Sequence, residues 1–223
     1  MVQERSERTR GRLVEAGAAL FDRRGYAGAT LGEIAATAGV TKGALYFHFA
    51  SKEELARAVS ARAERLLRSA CTEVRASSPL QGLIDAGYWL VDALGADPVI
   101  RAAFRLGRED AGWQVSPTTA SLTTAGPAFA GMRGFHSVWA GVVRDLLAGA
   151  RRAGELRDRS GGLGPETLVV TAACGLEVVF VDGCPADERA RRVGALWDWL
   201  LPCLVPPGTA GGYRTRPPAR QPA

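Results

Sequence analysis

Residues 41–55 read TKGALYFHFASKEEL. Thr41 is a helix N-cap residue, Gly43 stands in the first turn, and Tyr46, Phe47, His48 and Phe49 crowd four consecutive positions. Ser51 and Glu54 then have the spacing of a capping box and launch a longer helix over roughly 52–74. Just upstream, Thr30 and Glu33 form another capping box, Leu31, Ile34, Ala35 and Ala38 share one face, and Gly39 closes that helix. Only Val40 lies between Gly39 and Thr41. Two helices joined by so tight a glycine turn, inside a small three-helix unit, make a helix-turn-helix.

Such a motif assigns work to each side chain of the stretch. The first turn of a recognition helix meets base edges in the major groove. A glycine at 43 lets the backbone approach the duplex, and Thr41 and Lys42 reach bases or phosphates. Tyr46 and His48 donate to phosphate oxygens from the side, and Thr30 and Lys52 are further phosphate candidates. Leu45, Phe47 and Phe49 read as core. The competing account of Gly43 is local: relief of crowding in a tight turn.

Working outward, residues 8–24 place Leu13, Ala16, Leu20 and Phe21 at helical spacing, with Gly25 just past the end. Gly17 falls on the same face, where it allows close helix packing. Beyond Pro79, LQGLIDAGYWLVDALG and DPVIRAAFRLGRED keep a helical period and break at Gly95–Pro98. Residues 111–128 read as a loop, about 130–153 as a helix, and Pro165 as the start of another. The last strong helix, about 186–204, aligns Val193, Leu196, Trp197, Leu200, Leu201 and Leu204. The tail from 206 to 223 lacks both core and period and is expected to be disordered. With no alternating strand, the fold class is all-α. The domains expected are a helix-turn-helix DNA-binding domain over 1–52 and a second helical domain over 53–205.

Composition narrows the function. The 223 residues are 47% hydrophobic, enough for a sizeable core, and the formal net charge is +5. Residues 1–52 hold eight Lys and Arg against five acids, a local excess of +3. Cys71, Cys174, Cys184 and Cys203 are scattered without metal-ligand or disulfide spacing, and His48 and His136 are far apart, so neither a metal nor a cofactor is expected. The charged N-terminus has no apolar h-region, and the longest apolar run, 168–181, is interrupted by Glu177. A protein of the reducing cytoplasm without a membrane partner is expected. No GxSxG, P-loop or HExxH sequence supports an enzyme. A helical interaction module without specific DNA binding is the rival reading; it leaves the recognition-helix sequence unused.

The stretch LFDRRGYAGATLGEIAATAGVTKGALYFHFASKEEL (20–55) resembles the DNA-binding domain of the tetracycline-repressor-type (TetR) regulators. It carries their Phe–x–x–x–Gly–Tyr, Thr–x–x–x–Ile–Ala, Gly–Val and Tyr–x–His–Phe–x–x–Lys–Glu–x–Leu elements. The resemblance implies a bacterial, nucleoid-associated, homodimeric repressor of a palindromic, double-stranded operator, with 53–205 as a helical ligand-binding and dimerisation domain whose small ligand releases it. VTKGALYFHFASKEELARAV (40–59) and DPVIRAAFRLGRED (97–110) also look like the γ-butyrolactone autoregulator receptors of actinomycetes, which control antibiotic production. Trp139, in FHSVWAGVVRDLL, falls where those receptors carry a pocket tryptophan.

A pocket for a lactone with an alkyl tail should be apolar with one or two fixed donors. Trp139 supplies an N–H and Thr171 a hydroxyl. Phe104, Leu106, Trp89, Cys174 and Val178 are the apolar walls expected. Ala63 stands near the point where related receptors often carry a glutamine, which leaves open a pseudo-receptor or an efflux regulator of the same fold answering an antibiotic or biosynthetic intermediate. The helices about 165–182 and 186–204 are apolar enough for the intersubunit bundle that the family implies; a core role serves Trp197 and Trp199 equally well. Activation rather than repression also stays open.

Overall fold

A computed structural model describes residues 2–73, 78–110, 135–157, 168–169, 171–172 and 184–218. Among these there is no strand. The helices are α1 (Val2–Gly28), α2 (Leu31–Thr37), α3 (Lys42–His48), α4 (Lys52–Glu73), α5 (Pro79–Ala96), α6 (Pro98–Asp110), α7 (Phe135–Arg152) and α8 (Ala186–Leu204), followed by a 3-10 turn, Ala210–Gly212. The chain divides into two compact units, one drawn from residues 1–66 and 97–138, the other from 67–96 and 139–223.

The first unit contains the helix-turn-helix. Helix α1 starts at Val2, not near residue 8, because its amphipathic segment continues upstream as a charged, exposed extension. Gly25 interrupts it with φ of 70°, a region that disfavours side chains, and a Cβ there would also strike the Glu109 carboxylate at 2.3 Å. Leu13, Phe21, Ile34, Leu45, Phe49 and Leu55 are fully buried and form the centre of this unit. Gly17 does let α4 come close: a Cβ would lie 3.1 Å from the Leu55 side chain.

Helix α6 belongs to this same unit and packs along α1. Arg101 Nε donates to Asp22 at 2.8 Å, Arg105 donates to the Asp22 carbonyl at 2.7 Å, and the Tyr26 N–H donates to Glu109 at 2.8 Å. This partition differs from a boundary at residue 52, since packing against α1 pulls a later helix into the unit. Asp97 caps α6 by accepting the Val99 N–H at 2.7 Å, and Pro98 fills the first helical position, where no N–H is needed.

In the second unit α5 packs against α8. Leu83, Ile84, Leu90, Val193, Trp197 and Leu201 are buried there, with Trp139, Val143 and Leu147 of α7. Residues 206–218, expected from their composition to lack structure, take a defined path. One terminal nitrogen of Arg214 donates to both oxygens of the buried Asp85, at 2.9 Å each, and the Arg214 backbone exchanges hydrogen bonds with the Gln81 side chain at 2.8 and 3.1 Å. The Tyr88 hydroxyl donates to the Thr215 carbonyl. Anchoring of a few polar groups substitutes for the apolar period that the tail lacks.

The expected loop at 111–128 and most of the expected helix at 165–182 lie outside the described residues.

Candidate nucleic-acid interface

Helix α3 is held by its ends and by one face. The Thr41 hydroxyl oxygen accepts the Ala44 N–H at 3.1 Å, and the Phe49 N–H closes the helix on the Leu45 carbonyl. Leu45 and Phe49, four apart, point inward. Phe47 does not join them. It is 81% exposed, because two residues of helix turn it about 200° from Leu45. The assignment of Phe47 to the core is therefore corrected: its ring lies edge-on to His48, centroids 5.2 Å apart, on the outer face with the exposed Tyr46.

Gly43 sits at the crown of this outer face. A Cβ there would meet nothing nearer than the Thr41 hydroxyl at 3.9 Å, and its φ is not positive. Crowding in the turn is thus no reason for the glycine. No contact among the described residues requires it, although it weakens the helix by about 0.5–1 kcal/mol relative to alanine.

Open grooves flank α3 on either side. One brings together Thr30, Lys42, Tyr46 and Lys52 with Leu31 and Gly32. The other sets Thr41, Phe47 and His48 opposite Arg5, Arg8 and Arg12 of α1. The predicted residues are therefore gathered around one helix. The three arginines were counted in the sequence only as local charge. Their spacing at 5, 8 and 12 puts them on one face of a helix, a signal that was available once α1 was extended to Val2.

Two candidates are committed to the fold. The Lys52 ammonium donates to the carbonyls of Tyr26 and Ala29 at 2.8 and 2.9 Å and lies 4.3 Å from the Tyr26 ring centroid. It ties the end of α1 to the start of α4, a role in the fold that its reading as a phosphate contact did not include. The Thr30 hydroxyl accepts the Glu33 N–H at 3.2 Å and donates to the Glu33 carboxylate at 2.8 Å. The Thr30 hydroxyl, followed by Arg24, holds the exposed Glu33 carboxyl below its usual range. Thr41 differs: its hydroxyl donates to no acceptor among the described residues, and Lys42 is exposed.

The second capping box forms with a shift. Ser51 accepts the Glu54 N–H at 3.1 Å, while the Glu54 carboxylate accepts from the Ala50 N–H at 2.8 Å, one residue ahead of the cap.

In the second unit Trp139 lines a small cavity with Leu83, Gly87, Val169, Val193 and Trp197. Its volume is about 20 Å³. Trp139 is 1% exposed, and its indole N–H is buried without a hydrogen-bond partner among the described residues. Thr171 is exposed; its neighbour Ala172 is on the lining, one residue and about 100° round. Phe104 and Leu106 are buried in the first unit, where Phe104 meets Phe135 at 4.7 Å and His136 at 4.6 Å between ring centroids. Trp89 is half-buried and is not on this lining. Cys174 and Val178 lie outside the described residues. So of the expected pocket residues that are described, Trp139 alone lines this cavity.

An all-helical chain with an exposed recognition helix and a separate helical unit defines a helix-turn-helix regulator. Residues 13–59 match the family described as bacterial regulatory proteins, tetR family. The A-factor receptor protein of Streptomyces griseus is 31% identical over 207 residues, covering 92% of this chain and 67% of that protein. The fold is similar to CprB of Streptomyces coelicolor, a TetR family protein solved in complex with its biological operator sequence. That match has a TM-score of 0.71 at 31% identity and covers 93% of this chain and 94% of the other. A crystal structure of a gamma-butyrolactone receptor (ArpA-like protein) is similar with a TM-score of 0.67 at 32% identity, over 93% and 94% of the two chains. This chain belongs to the TetR family, and it is a DNA-binding transcriptional regulator, not an enzyme. No described helix is long and apolar enough to cross a membrane.

Proposed function

We propose that the protein represses transcription as a homodimer on a palindromic operator and is released by a small, apolar, uncharged molecule of the γ-butyrolactone type. The observation that carries the DNA half is Gly43, a glycine that the chain's own packing does not ask for, at the crown of an exposed helix. Thr41, Lys42 and Gly43 enter the major groove, while Tyr46 and His48, with Thr30 in support, face the phosphates. In a two-fold dimer the two α3 helices would stand about 34–36 Å apart, one turn of DNA.

For the ligand half, the support is the unpartnered indole N–H of Trp139 beside a lining of Leu, Val, Ala, Gly and Trp residues. Among the described lining residues, indole N–H groups are the only polar side-chain groups. The lining suits a neutral ligand with a hydrogen-bond acceptor and an alkyl portion, and among the described lining residues there is no cation to offset the charge of a carboxylate. The cavity has room for about one water, so binding has to part α5, α7 and α8.

A path for the signal would begin in α7 and pass through side-chain contacts to α6 and α1. Trp139 shares α7 with Phe135, Phe135 packs on Phe104 of α6, and α6 grips the end of α1 through Asp22 and Tyr26. A shift of α7 on ligand binding would be passed by α6 to the DNA-binding helices. Release is then as complete as the ligand's preference for the shifted conformer.

The test is selection of duplexes from a random pool by the purified protein, followed by anisotropy titrations with a synthetic γ-butyrolactone. Enrichment of a palindrome and its release by the lactone are expected. No enriched sequence would end the operator reading; an enriched palindrome indifferent to lactones would move the ligand assignment to another apolar metabolite.

A further inference from the structure

Beside the recognition helix, the N-terminal half of α1 forms the far wall of a groove whose near side carries Thr41 and His48, and the proposed base and phosphate contacts leave that far wall unused. Arg5, Arg8 and Arg12 project there from successive turns, facing Thr41, Phe47 and His48 of the α3 side. All three arginines are exposed. The single acid on the lining is Glu4, 3.5 Å from Arg8 in a pair that is itself 70–76% exposed. Exposed i,i+4 pairs of this kind are weak and readily exchanged for another anion. The groove is thus lined by three guanidinium groups against one carboxylate.

From Arg5 to Arg12 the helix rises about 10 Å, close to the axial rise of three nucleotides on one DNA strand. Guanidinium groups match phosphate oxygens in two-pronged geometry and keep their charge at all relevant pH values.

We infer that Arg5, Arg8 and Arg12 are a second phosphate-binding wall, which holds the DNA strand on the His48 side of α3 while Lys42 and Tyr46 face the opposite groove. The occupant is the sugar–phosphate backbone of the same duplex, because the groove is continuous with the recognition helix and complementary in charge. The inference rests on the operator-binding reading above. Contacts of this class add affinity and fix orientation, but carry no base information.

The test compares wild-type protein with Arg5→Gln/Arg8→Gln and with the triple variant adding Arg12→Gln. The probes are a duplex enriched by the wild-type chain from a random pool and a scrambled duplex of the same length, titrated from 50 to 200 mM salt. Each lost contact should flatten the slope of log K against log salt by about 0.9. Both duplexes should lose affinity by the same factor, so their ratio stays constant. Arg5 and Arg8 are exposed, so the double variant should melt with the wild type and the comparison should not depend on folding. Wild-type slopes and affinities in both variants would overturn the inference while leaving operator binding intact. A changed preference between the two duplexes would overturn it as well, because the arginines would then be reading bases. A wild-type chain that enriches no sequence would defeat the operator reading itself, and this inference with it.

Discussion

Arg101 of α6 places its Nε 2.8 Å from a carboxylate oxygen of Asp22 on α1, with both side chains about three-quarters buried. Together with Arg105 on the Asp22 carbonyl, this fastens a helix from the middle of the chain to the core of the DNA-binding unit. A clasp of this kind is a route for coupling, and it can be cut without touching either proposed site. In a double-mutant cycle, Asp22→Ala and Arg101→Ala should show a coupling of about 0.5–1 kcal/mol in urea unfolding. Operator affinity without ligand should stay near wild type, while ligand-induced release weakens. Full ligand response in both single variants would remove α6 from the signal path.

Gly43→Ala should move stability and binding in opposite directions. The added methyl group finds open space, so the helix should gain about 0.5–1 kcal/mol and the protein should melt higher by a few degrees. Operator affinity should fall, because the same methyl stands where the duplex must approach. Thermal melting and anisotropy on one preparation check both signs. A variant that gains stability and binds normally would leave the glycine without a DNA role.

Lys52 and Lys42 should separate cleanly. Lys52→Met strips two carbonyls, those of Tyr26 and Ala29, of their charged donor and should cost about 1–2 kcal/mol of folding stability. Lys42→Met should leave the melting midpoint unchanged and lower DNA affinity with a shallower salt dependence. Equal melting midpoints for the two variants would refute the structural role given to Lys52.

Tyr88 supplies a pH prediction. Burial first, then the Asp198 carboxylate, push its hydroxyl up to about 12, above the ordinary value of 10. The folded state therefore holds this proton more tightly than the unfolded chain. The stability it contributes is complete below pH 10 and is lost as pH rises through about 12. Wild type should lose more stability than Tyr88→Phe between pH 10 and 12. Parallel loss in the two proteins would show that the Tyr88 hydroxyl does not anchor the 213–216 segment.

Trp139→Phe keeps an aromatic ring on the cavity and removes the unpartnered N–H. DNA binding should be preserved and the ligand concentration for half-release should rise about tenfold, the equivalent of about 1.4 kcal/mol for one hydrogen bond in a dry site. An unchanged midpoint would show that the indole N–H does not bind ligand.

Much of the DNA-binding unit was legible from local signals. Capping residues, the glycines at helix ends and the inward pair Leu45 and Phe49 act within one or two turns, so spacing along the chain reveals them. Phe47 was misplaced because aromatic character suggested burial, whereas helix phase puts it outside. The roles of Lys52 and Arg214 were not legible. Their partners, Tyr26 and Asp85, stand 26 and 129 positions away in sequence, and a lysine or arginine looks alike whether it meets phosphate, a carbonyl or a buried carboxylate.

The order of amino acids by itself determined the helical class, the recognition helix and its exposed glycine, because these follow from periodicity and capping inside short segments. Only the tertiary structure decided that α6 joins the DNA-binding unit, that the arginines of α1 stand across a groove from α3, and that Phe104 and Leu106 fill a core apart from the cavity of Trp139. Those outcomes depend on which helix faces meet. Many apolar stripes along this chain are alike enough to pair, and the choice among them is made by packing and buried polar pairs over long sequence separations, which no local pattern records.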